Sequence, residues 1–195
     1  MSQYIALEGV DGSGKTSVGK ALVARLVAGG ERAVLVREPG GTAVGEAVRS
    51  LLLDSESLNV WAEVFLFAAQ RAELAGEVIA PALEAGTWVV SDRTYYSSIA
   101  YQGRARGLGE ERVRAINETG LDGVVPDFVF VLDVEPDIAL GRQDNPDRIG
   151  KEGLAFQSAV RSCYLDLAES EDKVIVLDGS LSVDELTDRI MEVIS

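Results

Sequence analysis

The chain has 195 residues, 47% hydrophobic and 26% charged, a composition that builds one globular core and excludes a disordered or fibrous chain. Eighteen basic residues against 32 acidic ones leave a net charge of −14, a field that repels phosphate backbones and argues against nucleic acid as a partner. There is no histidine, which removes His-based triads, His-ligated zinc and His general bases, and a single cysteine, Cys163, closes no internal disulfide. That cysteine usage fits a reducing compartment. The opening Met-Ser-Gln-Tyr-Ile-Ala-Leu-Glu lacks the basic start and apolar run of a secretory signal. No stretch approaches the roughly 18 apolar residues of a membrane helix. A cytoplasmic protein with no membrane partner is expected.

The first strand is expected at Tyr4–Leu7, and it runs into Gly9-Val10-Asp11-Gly12-Ser13-Gly14-Lys15-Thr16, which matches G-x-x-x-x-G-K-[ST]. Glycines let backbone N–H groups approach phosphates, and the start of the following helix adds favourable partial charge. Lys15 reaches the β- and γ-phosphates, Thr16 supplies a hydroxyl for Mg²⁺, and Ser17 opens the helix behind them. A nucleoside triphosphate is the expected ligand of residues 9–17. Leu22 and Leu26 mark that helix, and Gly29-Gly30 ends it with a left-handed cap.

A second strand is expected at Ala33–Val36. Farther on, Phe67 and Arg71 stand four apart on one helix face, either as core and surface residues or as a ring and a guanidinium that receive a nucleobase. The strand Trp88–Val90 leads to Asp92-Arg93 at a strand C-terminus, the edge where doubly wound sheets bind ligands. An acid there holds Mg²⁺ and an arginine grips a phosphoryl group, unless the two are only an ion pair. Strands at Phe128–Leu132 and Val174–Leu177 complete a set of five, each nearly continuous in apolar character and so covered on both faces. Between the last two, residues 141–151 are polar and rich in turn formers, read either as a solvated loop or as a mobile lid, at about 141–152, that brings positive charge over a phosphate. Ser182 and Glu185 have capping-box spacing for the final helix, which carries Leu186, Ile190 and Val193. This alternation predicts an α/β fold: one domain over residues 1–195, three layers α/β/α around a five-stranded parallel sheet.

Taken together, Glu8–Thr16, Arg37-Glu-Pro-Gly-Gly-Thr42, Phe65-Leu-Phe-Ala-Ala-Gln-Arg71, Asp92-Arg-Thr-Tyr-Tyr-Ser-Ser-Ile-Ala-Tyr-Gln-Gly103, Leu132-Asp-Val134 and Asp147-Arg-Ile149 closely resemble the bacterial thymidylate kinase family over essentially the whole chain. The resemblance implies a phosphate-loop kinase of the nucleoside monophosphate type. Its reaction transfers the γ-phosphoryl of ATP to dTMP with Mg²⁺, giving dTDP and ADP in dTTP synthesis. By the same resemblance Asp11 faces the deoxyribose 3′-hydroxyl region, and Arg37 and Arg93 contact the monophosphate. Phe67 stacks on thymine, Arg71 bonds its carbonyl edge, and Ser98 and Gln102 read the rest of the base. Tyr101 crowds the 2′ position, and Pro39 follows a cis bond. A homodimer is implied as well, in which the apolar segment Val60–Leu66, with Trp61, Val64 and Phe65, pairs with its copy.

The chain departs from the family pattern in three places. Where some relatives carry an arginine in the phosphate loop, this one has Gly12, so the catalytic arginine is expected from the lid. Arg148 is the first candidate and Arg142 the second, with Lys151 nearby; Gly150 stands where an acid is common. Thr94 replaces the Tyr or His usual after Asp-Arg. Three rival readings are a kinase for another monophosphate or deoxynucleoside, a GTP-gated switch, and a phosphate-loop ATPase acting on DNA. The switch lacks its N-K-x-D loop, since Asn59, Asn117 and Asn145 are not followed by Lys-x-Asp. The DNA enzyme lacks a basic stripe.

Overall fold

The computed structural model describes residues 2–142 and 147–195. Strand β1 (Tyr4–Glu8) is buried at every position and leads through a glycine-rich loop into α1 (Lys15–Ala28). Then come β2 (Ala33–Arg37), α2 (Ala43–Asp54) and α3 (Val60–Leu74), the last running through a π-helical stretch, Ala75–Ile79, into α4 (Ala80–Glu84). Strand β3 (Trp88–Asp92) is followed by α5 (Tyr95–Ser98), a second π-helical stretch at Ile99–Ala105, and α6 (Glu110–Leu121). The chain closes with β4 (Phe128–Asp133), α7 (Pro136–Gly141), a 3₁₀ turn at Gly150–Glu152, α8 (Leu154–Ser170), β5 (Val174–Asp178) and α9 (Val183–Ile194).

The five strands form one parallel sheet in the order β2-β3-β1-β4-β5. Side chains alternate across it, so β1 sends Ile5 and Leu7 to one face and Ala6 to the other. On the first face they pack with Leu22 and Leu26 of α1 and Leu186 and Ile190 of α9. On the second, Ala6, Val129 and Val131 meet Tyr96, Ile99, Val160 and Tyr164. These are the expected three layers. The final helix carries the expected capping box: Ser182 accepts from the Glu185 N–H, and Glu185 accepts from Ser182 in return. Of the glycine pair ending α1, Gly30 alone takes the positive φ, at 91°.

Each strand extends beyond its apolar run and ends on a charged residue: Glu8, Arg37, Asp92, Asp133 and Asp178. Arg37 and Asp92 line a cavity at the carboxyl edge of the sheet, Glu8 is buried among the hydroxyls of Thr94, Ser97 and Tyr164, and Asp133 pairs with Arg161 of α8. Among the described residues, no helix is long and apolar enough to cross a membrane. Of the 141–152 segment, residues 143–146 lie outside the described set. Beyond them, Asp147 turns the chain by accepting from the Ile149 and Gly150 N–H groups, both at 2.9 Å.

Candidate active site

At the carboxyl edge, β1 and β3 lie side by side, while the chain leaves β1 toward β2 and, after β3, crosses to β4 on the other flank. Such a divergence opens a crevice, and the phosphate loop and the Asp92-Arg93 turn stand on its two sides. Gly9, Gly12 and Gly14 have φ of 138°, 86° and 96°, a backbone that side chains rarely adopt. Gly14 caps α1 with no side-chain bond, and the first turn holds no acid. The start of α1 is thereby left open to an anion. Lys15 is buried and folds back, donating to the carbonyls of Gly9 (3.2 Å) and Val10 (2.9 Å) and to Ser13 Oγ (3.2 Å). Burial, and after it the Arg93 charge, pull its ammonium down to about 8.

A cavity of about 580 Å³ fills this crevice. Asp11, Gly12, Gly14, Lys15, Thr16 and Ser17 line its phosphate-loop wall, whereas Gly9, Val10 and Ser13 support the loop from behind. Thr16 Oγ1 donates to Asp92, so the two residues expected to hold Mg²⁺ touch each other. Among the described residues no group of three or more His, Cys, Asp or Glu side chains is placed to hold a metal. One hydroxyl and one carboxylate beside a phosphate loop nevertheless suit Mg²⁺, which keeps waters and takes its remaining oxygens from nucleotide phosphates.

Arg93 holds its guanidinium through a φ of 76°, outside the ordinary range for a side-chain-bearing residue. It donates to Gly9 O (3.3 Å), Ser97 Oγ (2.9 Å), Tyr101 Oη (3.2 Å) and the Asp11 carboxylate, and lies 5.0 Å from the Tyr101 ring centroid. Burial pushes Asp11 up, but Arg93 and Lys15 more than offset it and hold the carboxyl below its usual range. Under this turn sits Glu8, fully buried and accepting from Thr94 N (2.7 Å), Thr94 Oγ1 (2.7 Å), Ser97 Oγ (2.6 Å) and Tyr164 Oη (2.7 Å). Thr94 also caps α5. Its position therefore does more than pack: the hydroxyl joins the Asp92-Arg93 turn to the end of β1.

The opposite wall is built by α3, α5 and the turn around the Glu38–Pro39 cis bond. Phe67, Pro39, Ser98, Tyr101 and Gln102 line it. Arg71 does not. It lies 2% exposed behind the wall, bonded to Glu38 (2.5 Å), Ser98 Oγ (3.1 Å), Asn117 and the Thr94 carbonyl (3.2 Å). These bonds engage four of the five guanidinium N–H groups and leave one outside them. Gln70 also donates to Glu38 (3.3 Å), and burial raises the Glu38 carboxyl against the pull of Arg71. Glu8, Glu38 and Asn117 escape sequence reasoning because the side chains they meet lie 32–156 positions away.

Lys15, Arg37, Arg49, Arg93 and Arg142 all line the cavity. The carboxylates of Asp11, Glu38, Asp92 and Asp147 line it too, so among the described residues the cavity carries five cations against four acids in a chain of net charge −14. Arg49 was not foreseen; its Nη1 donates to Pro39 O at 2.8 Å, a contact no local motif announces. The two lid candidates separate. Arg142 lines the cavity and reaches Gly12 O at 3.4 Å. Arg148, expected first, instead donates to the Leu52 carbonyl (3.0 Å) and to Glu63 (2.7 Å), away from the phosphate loop. A buried carboxylate, Glu63, holds that guanidinium where it stands, so of the two candidates Arg142 is the one at the phosphate loop in this structure. A Cβ built on Gly12 would lie 2.3 Å from the Ala139 carbonyl, so the loop has no room for a side chain at that position.

A parallel sheet with a phosphate loop after its first strand, facing an acid–arginine turn after its neighbour, defines a phosphate-loop protein of the nucleoside monophosphate kinase type. The thymidylate kinase family model matches residues 7–190. The chain is 42% identical to the thymidylate kinase of Thermosipho africanus over 98% of this chain and 96% of that one. It is 41% identical to that of Fervidobacterium nodosum (97% of each chain) and 39% identical to that of Finegoldia magna (98% and 97%). The chain belongs to the thymidylate kinase family.

Proposed function

We propose that the protein transfers the γ-phosphoryl group of ATP to dTMP, giving dTDP and ADP, with both nucleotides meeting in the single crevice described above. The observation that carries this reading is that a triphosphate loop and a base-sized wall of two rings, Phe67 and Tyr101, and several polar groups open on the same cavity. The loop N–H groups and Lys15 receive the ATP phosphates; Thr16 and Asp92 hold Mg²⁺, which supplies charge neutralisation between them. Arg37 and Arg93 position the acceptor phosphate, Phe67 stacks on thymine, and Ser98, Gln102 and the remaining N–H of Arg71 face its polar edge. Asp11 faces the 3′-hydroxyl and Tyr101 excludes a 2′-hydroxyl. Because the acceptor oxygen is already anionic at neutral pH, no general base is required, and the absence of histidine costs nothing. Residues 141–152 act as the lid, and Arg142 brings the positive charge that neutralises the transferring group.

The test is ADP release with ATP and Mg²⁺ across dTMP, dUMP, dGMP, dCMP, AMP and thymidine. A preference for dTMP is expected. Turnover of another monophosphate in its place would keep the kinase and discard the base-reading residues, and no transfer to any acceptor would discard the kinase.

We further infer that the protein is a cytoplasmic homodimer. Val64 of α3 is fully buried, whereas Phe65 beside it is 56% exposed, with Leu51 of α2 53% exposed. Trp61 and Phe65 lie together, their ring centroids 6.2 Å apart. Large apolar side chains on adjacent helices support pairing with a second copy. Sedimentation at micromolar concentration is expected to give twice the chain mass; the monomer mass would end this reading.

A further inference from the structure

Glu63 of α3 is a buried carboxylate, 1% exposed, that the reaction does not use. Its Oε1 accepts from Gln102 Nε2 at 2.8 Å and from Arg106 Nε at 2.9 Å, and its Oε2 from Arg148 Nη2 at 2.7 Å. Burial raises its carboxyl, but the Arg106, Arg148 and Gln102 hydrogen bonds outweigh that and hold it below the usual range. An ionised carboxylate only accepts, so it dictates which way the Gln102 amide stands: nitrogen toward Glu63, carbonyl oxygen away from it. Gln102 is itself buried and lines the base wall of the cavity.

We propose that Glu63 is a positioning residue for base selection, fixing Gln102 so that it presents an acceptor to the base. An acceptor there suits a pyrimidine whose ring nitrogen carries hydrogen, the imide of thymine or uracil. It opposes the bare ring nitrogen of cytosine, because two acceptors would then face each other without a proton. The inference rests on the reading that the base of a nucleoside monophosphate lies against Phe67 and Gln102. Glu63 touches neither nucleotide and acts only through the amide.

Glu63→Gln tests this, since a glutamine can donate as well as accept and so releases the amide to turn over. The expected result is a fall of about tenfold or more in the ratio of kcat/KM for dTMP over dCMP, carried by the dTMP KM, with the ATP KM unchanged. In a Gln102→Ala background the same substitution is expected to leave the ratio where it was. Glu63→Asp keeps the negative charge between Arg106 and Arg148 but draws the carboxylate back by one methylene, loosening its hold on Gln102, and is expected to move the ratio in the same direction should Glu63→Gln not fold. A ratio unchanged in Glu63→Gln, or one that still shifts without the Gln102 amide, would overturn the proposal while leaving the reaction intact. A wild-type protein with no preference for dTMP would overturn the reading beneath it as well.

Discussion

Lys15→Met is expected to lower kcat about 10²–10³-fold while leaving the protein folded, as removal of one preorganised charge from a transition state does. The side chain is buried among Gly9 O, Val10 O and Ser13 Oγ, and its ammonium sits at about 8 in place of 10.5. The unfolded chain therefore binds more protons than the folded one between about pH 8 and 10.5. From this group alone, stability rises with pH across that window, and at neutral pH the buried charge costs stability. Methionine, similar in length and uncharged, relieves that cost. The same ammonium is needed charged when phosphates arrive, so ATP binding at pH 8–9 is expected to take up a proton, and ATP affinity to fall as pH rises above 8. Calorimetry in two buffers of different ionisation heat measures the uptake. Equal uptake in wild type and Lys15→Met, or an unchanged kcat, would show that Lys15 is not the group that meets the phosphates.

Arg71→Ala is expected to act twice. Its guanidinium is 2% exposed and faces Glu38, whose side chain is 1% exposed, so truncation strands a buried carboxylate as well as Ser98, Asn117 and the Thr94 carbonyl. Breaking a buried pair in this way costs about 3–5 kcal/mol, and a clear drop in Tm is expected. Independently, the dTMP KM should rise by an order of magnitude or more through the lost bond to the base, with the ATP KM little changed. Arg71→Lys separates the two effects. It keeps the charge opposite Glu38 but loses the planar fork, so it should recover most of the lost stability and little of the dTMP affinity. A dTMP KM unmoved in Arg71→Lys would confine Arg71 to holding the wall.

Fold and phosphate loop were legible because both are written locally. Five short apolar runs mark five strands, of which β1, β3 and β4 are covered on both faces and the edge strands β2 and β5 only in part, and one octapeptide specifies a turn, a lysine and a helix start. The strand ends were not legible: Arg37 and Asp92 break the apolar pattern where the sheet meets the cavity, and Glu8 breaks it where a buried carboxylate meets Thr94, Ser97 and Tyr164. The residues that hold the site in shape were hidden for a different reason. Glu38 meets Arg71 across 33 positions, Glu63 meets Gln102 across 39 and Arg148 across 85, and only the tertiary fold brings them together. Family resemblance marked Arg71 and Arg148, but neither motif says which carboxylate each one binds. Arg148 shows the gap: its motif is present, yet its guanidinium meets Glu63, 85 positions away.

The crowding of Gly12 against Ala139 also bears on how this sequence could change. A loop arginine and an arginine carried from outside the loop look like alternatives one substitution apart, yet here the first step is blocked. Any Cβ at Gly12 meets the backbone of α7 at 2.3 Å, and the φ of 86° disfavours it as well. An intermediate that acquires the loop arginine first would strain its phosphate loop before gaining anything from the new charge. α7 must withdraw before that arginine becomes tolerable, so descent from one arrangement to the other runs through a change in a neighbouring helix and has a required order. The glycine in the loop is, in this sense, a record of where α7 has come to rest.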